Sequence, residues 1–285
     1  MPRPSIKNSA QANAHWRTCR NATMVPAFNA LMAYHAVQEV NRWRVPGDIV
    51  EVGVWAGGLS CFMALAQKES TVQRRSWLFD TFEGMPAPTE RDGRRTNKLW
   101  ALVANGSTDV PGGVRDGKWA YTPLDEVQRN MARANVTHDI RYVKGRAEDV
   151  LRSPSITLPE SISVLRLDTD WYMSTKVELD VLWPRLSPGG WLYVDDYGAF
   201  RGSRRAVDEW LRQVPSMAAA ARKAKAFKVA KPSPQRPLED QLGSFAVWKG
   251  TRCGLFCSAY NESHPFDVSN ETLWSLWAGE FSVSR

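Results

Sequence analysis

Two short apolar runs in the middle of the chain end in carboxylates. Val164, Leu165 and Leu167 lead into Asp168 and Asp170; Leu192, Tyr193 and Val194 lead into Asp195 and Asp196. Runs of this kind, alternating with helical stretches, suggest buried strands of a parallel sheet. Ligands of such sheets bind outside the carboxyl ends of the strands. Two neighbouring strands would therefore bring four carboxylates to one edge. Their mutual repulsion calls for a positive partner, and oxygen-only ligands favour a hard cation such as Mg²⁺. A second group of residues points to a bound small molecule. The strand starting at Asp48 runs into the turn Glu51-Val-Gly-Val-Trp-Ala-Gly-Gly. Gly53, Gly57 and Gly58 there let a ligand approach the backbone, although a tight turn without a ligand is the plainer alternative. The spacing is not Gly-x-Gly-x-x-Gly, which disfavours a dinucleotide. Asp80 closes the next strand, Ser76-Trp-Leu-Phe-Asp. It suits ribose hydroxyls, or serves as an ordinary turn or capping residue.

The elements that must position these groups follow from the pattern. The chain has 285 residues, 43% of them hydrophobic, enough for one α/β domain with modest additions. The net charge of +7 is spread along the chain, with no aromatic-interleaved basic motif, so nucleic acid is not expected as a partner. Cys19, Cys61, Cys253 and Cys257 read as ordinary thiols. No signal peptide or membrane span is legible, which places the protein in the cytoplasm and discounts the Asn-x-Ser/Thr triplets at Asn21, Asn105, Asn135, Asn261 and Asn270. Residues 1–22 read as a mobile polar arm and 23–249 as the working domain. An amphipathic helix over Pro26–Trp43 covers the sheet or meets a second copy, a homo-oligomer being expected. Residues 89–118 lack periodicity and read as a mobile lid. Further strands are predicted at 140–144, 162–168, 191–195, 226–230 and 244–248, with helices at 59–66, 121–134, 175–183 and 203–214. Residues 250–285 form an aromatic-rich appendage.

Four segments in order, Glu51-Val-Gly-Val-Trp-Ala-Gly-Gly, Leu78-Phe-Asp-Thr-Phe-Glu-Gly-Met-Pro, Leu165-Arg-Leu-Asp-Thr-Asp-Trp-Tyr-Met-Ser-Thr and Gly189-Gly-Trp-Leu-Tyr-Val-Asp-Asp-Tyr-Gly, resemble the macrocin O-methyltransferase family. Members of that family methylate sugar hydroxyls with S-adenosylmethionine and Mg²⁺. The resemblance implies a Rossmann-like, seven-stranded class I methyltransferase sheet with helices on both faces. It implies cofactor contacts from Glu51, Gly53, Val54, Gly57, Gly58, Asp80, Gly145, Ala147, Glu148 and Asp168. It implies metal ligation by Asp168, Asp195 and Asp196, and a small-molecule acceptor, a sugar hydroxyl, deprotonated by Asp168 or Asp170. The chain departs from the family's Asp-Gly-Asp-x-Tyr pattern at Thr169 and Trp171, on the rim of the acceptor site. Three rivals stay open at this point. One is a metal-dependent glycosyltransferase built on Asp168-x-Asp170. Another is a catechol-type O-methyltransferase. The last is a binding protein that kept the fold without catalysis.

Overall fold

The computed structural model describes residues 10–137 and 139–213, together with the backbone of 245–249 and 255–256. The chain begins with helices α1 (Ala10–Cys19) and α2 (Ala27–Arg42), then strand β1 (Asp48–Val52), α3 (Gly58–Lys68) and β2 (Ser76–Asp80). Helix α4 (Gly93–Ala104) and a hairpin, β3 (Val114–Arg115) with β4 (Lys118–Trp119), follow. Next come α5 (Leu124–Arg133), β5 (Ile140–Lys144), the short α6 (Ala147–Val150), β6 (Ile162–Leu167), α7 (Tyr172–Leu182), β7 (Leu186–Val194) and α8 (Arg201–Gln213). Five strands form a parallel sheet in the order β5-β2-β1-β6-β7. Strand β8 (Phe245–Lys249) runs antiparallel along β7, and the two-residue β9 (Leu255–Phe256) pairs with β8. The expected strand at 226–230 and most of 250–285 lie outside the described residues.

The sheet is covered on both faces, which is why its strands read as continuous apolar runs. Every residue of β6 is buried. One face packs against α1, α2 and α3 through Leu31, Tyr34, Val37, Leu59 and Phe62. The other packs against α7 and α8 through Val177, Leu179, Leu182, Val207 and Trp210. A third apolar cluster, Val103, Val110, Trp119 and Trp171, lies between α4, the hairpin and the start of α7.

Several expectations are corrected here. Residues 10–19 are helical, not part of an arm, because Ala12, Trp16 and Cys19 recur on one face among polar neighbours, and Trp16 packs on Phe62 with ring centroids 5.4 Å apart. Cys19 and Cys61 are not ordinary thiols. They form a disulfide that ties α1 to α3, with Cα atoms 6.0 Å apart. Residues 89–118 contain a helix and a hairpin where an unstructured loop was expected. Leu99, Val103 and Trp119 supply the apolar face that short, charged stretches had hidden. Pro188-Gly-Gly sits inside β7 as an irregularity in its register with β6, with Gly189 at φ 86°. Among the described residues, no helix is long and apolar enough to cross a membrane.

Candidate active site

Strands β1, β2, β6 and β7 end at a cavity of about 1410 Å³. Gly53, Asp80 and the segment Gly145–Glu148 line one wall, and Asp168, Thr169, Asp170, Asp195 and Asp196 line another. Two strand tips therefore do bring the four aspartates together, as the parallel pairing of Leu167 with Val194 requires.

The four acids are not equivalent. Asp168 and Asp195 share one guanidinium: Arg166 Nη2 lies 2.6 Å from Asp168 Oδ2 and 2.6 Å from Asp195 Oδ2. Arg166 Nη1 donates to Glu51 Oε1 at 2.7 Å. Burial works against the Arg166 charge, but Asp168, Asp195 and Glu51 outweigh it and hold the side chain firmly protonated. Asp195 also accepts from Asn29 Nδ2 at 3.3 Å, a link to α2. On the far side, Asp196 Oδ2 accepts from the Asp170 backbone N–H at 3.0 Å. Carboxylate oxygens of Asp168, Asp170 and Asp196 lie within 4.8 Å of one another. Burial, with neighbouring negative charge, raises all three; Asp168 reaches about 6 and Asp170 about 7, and Asp196 stands well above its usual range. Asp170 is also held at φ 63°, a backbone conformation unusual for a residue with a side chain. Three oxygen donors this close suit a hard divalent cation. The set that converges is thus Asp168, Asp170 and Asp196, whereas the resemblance had implied Asp168, Asp195 and Asp196.

The opposite wall is built from backbone. Asp80 Oδ2 accepts from Val54 N at 2.7 Å and Trp55 N at 3.0 Å, while Oδ1 accepts from Phe82 N at 2.8 Å. The carboxylate that sequence assigns to ribose therefore first holds the β1–α3 turn in shape. Gly53, at φ 88°, lies so near the backbone of Asp168 that a side chain there would strike the Asp168 carbonyl. The turn is glycine because β1 and β6 approach closely at their tips, and this packing brings the two walls of the site together.

Of the cofactor residues named from sequence, Gly53, Asp80, Gly145, Ala147, Glu148 and Asp168 line the cavity. Glu51, Val54, Gly57 and Gly58 are not among its lining residues. Glu51 is 1% exposed and engaged by Arg166 and Ser60; burial raises its pKa to about 7 despite the arginine. Gly57 packs on Val127, and Gly58 faces the backbone of Cys19 and Ala22 and borders a separate cavity.

Sequence reasoning missed Arg166, Glu178 and Asn29. A charged residue inside the apolar run Val164-Leu-Arg-Leu was the available signal for Arg166. Glu178 is fully buried on α7, where Thr169 Oγ1 donates to its Oε1 at 2.7 Å, and burial lifts its pKa to about 8. Trp171, where the family pattern is broken, is structural: its indole donates to the Pro86 carbonyl at 3.0 Å and meets Trp119 and Phe200 edge-on.

Comparison with known proteins agrees with this geometry. The profile of the macrocin-O-methyltransferase (TylF) family matches residues 7–220. The chain is 34% identical to a mycinamicin III 3''-O-methyltransferase of Micromonospora griseorubida, over 62% of this chain and 65% of that protein. It is 36% identical to an 8-demethyl-8-(2,3-dimethoxy-alpha-L-rhamnosyl)-tetracenomycin-C 4'-O-methyltransferase of Streptomyces olivaceus, over 62% of each. The chain thus spans a little under two thirds of the length of these two relatives. Among solved structures, the O-methyltransferase NovP superposes with a TM-score of 0.57 at 27% identity, covering 73% of this chain and 82% of that one. The span of the family match, on top of a parallel sheet whose tips carry the acidic cluster, shows that the chain belongs to the macrocin-O-methyltransferase (TylF) family.

Proposed function

We propose that this protein is an S-adenosylmethionine- and Mg²⁺-dependent O-methyltransferase acting on a hydroxyl of a sugar or glycosylated small molecule. The observation that carries the reading is the shared cavity. The Asp80-braced turn and Gly145–Glu148 form one wall, and three converging carboxylates form the other. Family membership and the tetracenomycin relative, named for methylation of a rhamnosyl compound, support the acceptor class. In this reading the sheet is the seven-stranded one of class I methyltransferases. The glycosyltransferase alternative uses Asp168-x-Asp170 alone. Asp196 joining that pair beside Gly53 favours methyl transfer, as do the names of the relatives.

Bound together, S-adenosylmethionine would bring an electrophilic methyl group and the cation would make a neighbouring hydroxyl more acidic. Asp168, Asp170 and Asp196 would hold the cation. Gly53, Asp80 and Gly145–Glu148 would hold and orient the cofactor, with Asp80 keeping the turn rigid. Asp168 or Asp170 accepts the hydroxyl proton, since both face the cavity. Arg166 fixes Asp168 from behind, so that this carboxylate does not swing away as charge moves. Trp119 and Phe200 line the cavity, with Trp171 packed against both, and wall it against water.

Calorimetry with S-adenosylhomocysteine tests the reading. Wild-type protein should bind it in chelator, and Asp80→Ala should bind at least about tenfold more weakly, because three backbone N–H groups lose their acceptor. A protein that does not bind S-adenosylhomocysteine at all would refute the assignment.

A further inference from the structure

Helix α7 buries a carboxyl group that the core does little to satisfy. Glu178 is 0% exposed, and its neighbours Val177 and Leu179 pack against the sheet. Its Oε2 has no hydrogen-bond partner among the described residues, and its Oε1 accepts from Thr169 Oγ1 at 2.7 Å. Burying a carboxyl group with one contact costs stability, and an apolar side chain of similar size would avoid that cost. The contact it does make leads straight to the acidic cluster. Thr169 lies between Asp168 and Asp170 and lines the cavity with them. Asp168 is fixed by its backbone N–H on the Val52 carbonyl at 2.8 Å and by Arg166. Asp170 is turned into the left-handed region at φ 63°, its N–H on Asp196 Oδ2 and its carbonyl accepting from Ser203 N at 3.3 Å. A residue with a side chain keeps that conformation only where its surroundings enforce it. The three converging carboxylates also repel one another, which favours opening of the segment. Contacts at Thr169 oppose both tendencies. Trp171 N and Ser174 Oγ donate to its carbonyl at 2.6 and 3.3 Å, both from the start of α7. Glu178 holds its side chain from a turn deeper, in the packed body of the helix. Glycine, which the family pattern has at this position, could not make that bond, so the tie belongs to this chain and not to the motif.

We infer that Glu178 is a positioning residue for the cation site: through Thr169 Oγ1 it holds the Asp168–Asp170 segment so that Asp168 and Asp170 converge with Asp196. Neither Glu178 nor the Thr169 hydroxyl is itself a ligand in this assignment. Hydrogen bonds behind the ligands of a metal typically change its affinity about 10–100-fold. The inference rests on the metal-dependent methyltransferase reading for what the site is used for, and on geometry for the tie. The test is calorimetric titration of chelator-stripped protein with Mn²⁺, beside titration with S-adenosylhomocysteine in chelator. Thr169→Val nearly keeps the shape and removes the donor, and Glu178→Leu removes the acceptor. Each should weaken Mn²⁺ binding by about tenfold or more while S-adenosylhomocysteine binds as before. The double variant should lose no more than the weaker single one, because both break the same bond. Thr169→Ser and Glu178→Gln keep donor and acceptor and should bind Mn²⁺ as wild type does. Should Glu178→Leu fail to fold, the two Thr169 variants decide the question. Wild-type Mn²⁺ affinity in Thr169→Val would overturn the inference, as would Thr169→Ser binding as weakly as Thr169→Val, or Mn²⁺ and S-adenosylhomocysteine weakening alike. Wild-type protein that binds Mn²⁺ but not S-adenosylhomocysteine would strike the methyltransferase reading and leave the positioning role standing. Wild-type protein that binds no Mn²⁺ would end both.

Discussion

The carboxylate cluster has two sides, and they are built on different terms. On one side, Asp168 and Asp195 are bridged by Arg166, which also holds Glu51. On the other, Asp170 and Asp196 face each other, the Asp170 backbone N–H donating to Asp196 Oδ2, with no arginine or lysine bridging them among the described residues. The first side offsets part of its charge within the fold, one guanidinium against three carboxyl groups. The second keeps its carboxylates close without a cation of the fold among them, and in the proposed function an external cation would relieve their repulsion. Four residues of one type thus separate into a pair held by Arg166, Asp168 with Asp195, and a converging set proposed to take a cation, Asp170 and Asp196 with Asp168. The difference teaches that an acidic residue at a strand tip is identified by what already neutralises it, not by its position alone.

The comparison is broken most severely by removing the internal cation. Arg166→Met takes the guanidinium away from the buried Glu51 and the partly exposed Asp168 and Asp195, and breaking a buried pair in this way costs about 3–5 kcal/mol. Urea unfolding should show that loss. A variant as stable as wild type would mean that Arg166 does not hold the closed side together.

Glu178 sharpens the same contrast, since it lies under the open side with no cation. Its folded pKa of about 8 stands above the ordinary value of 4.5 because of burial. Between those values the folded chain keeps a proton that the unfolded chain has released. Stability is therefore full below about pH 4.5 and falls as pH rises through about 8. Glu51, raised to about 7, acts in the same direction. Glu178→Gln cannot ionise, so in chelator it should match wild type near pH 4.5 and exceed it by several kcal/mol near pH 8.5, the gap growing by about 1.36 kcal/mol per pH unit in between. Parallel pH profiles for the two proteins would contradict this.

A smaller effect separates the two third ligands. In Mn²⁺ titrations, Asp170→Asn should lose about tenfold more affinity than Asp195→Asn, roughly 1.4 kcal/mol. The reverse order would return Asp195 to the coordination set.

The sheet was legible because its strands are buried on both faces and end in turn residues. Ser76–Asp80 and Ile140–Lys144 coincide with their predicted spans. The convergence of four aspartates followed from those strand ends. What escaped lay where neighbours in space decide the outcome. The α1 face carries only Ala12, Trp16 and Cys19, too few apolar residues to stand out before α3 is in place. Helix α4 is charged except for the residues that meet Trp119 and Trp171. Glu51 reads as a site residue next to a glycine turn, yet strand alternation points it away from the cavity to Arg166. Gly58 reads as a ligand-facing glycine, but it is small because the α1–α2 connection crosses over it.

The central claim is that a divalent cation occupies the open side, and calorimetric titration of chelator-stripped protein with Mn²⁺ measures it most directly. The account predicts one bound ion per chain in wild-type protein, and affinity reduced about a hundredfold or more in Asp196→Asn although that variant is at least as stable as wild type without metal. Equal Mn²⁺ affinity in Asp196→Asn and wild type, or no binding by wild type at all, would contradict it.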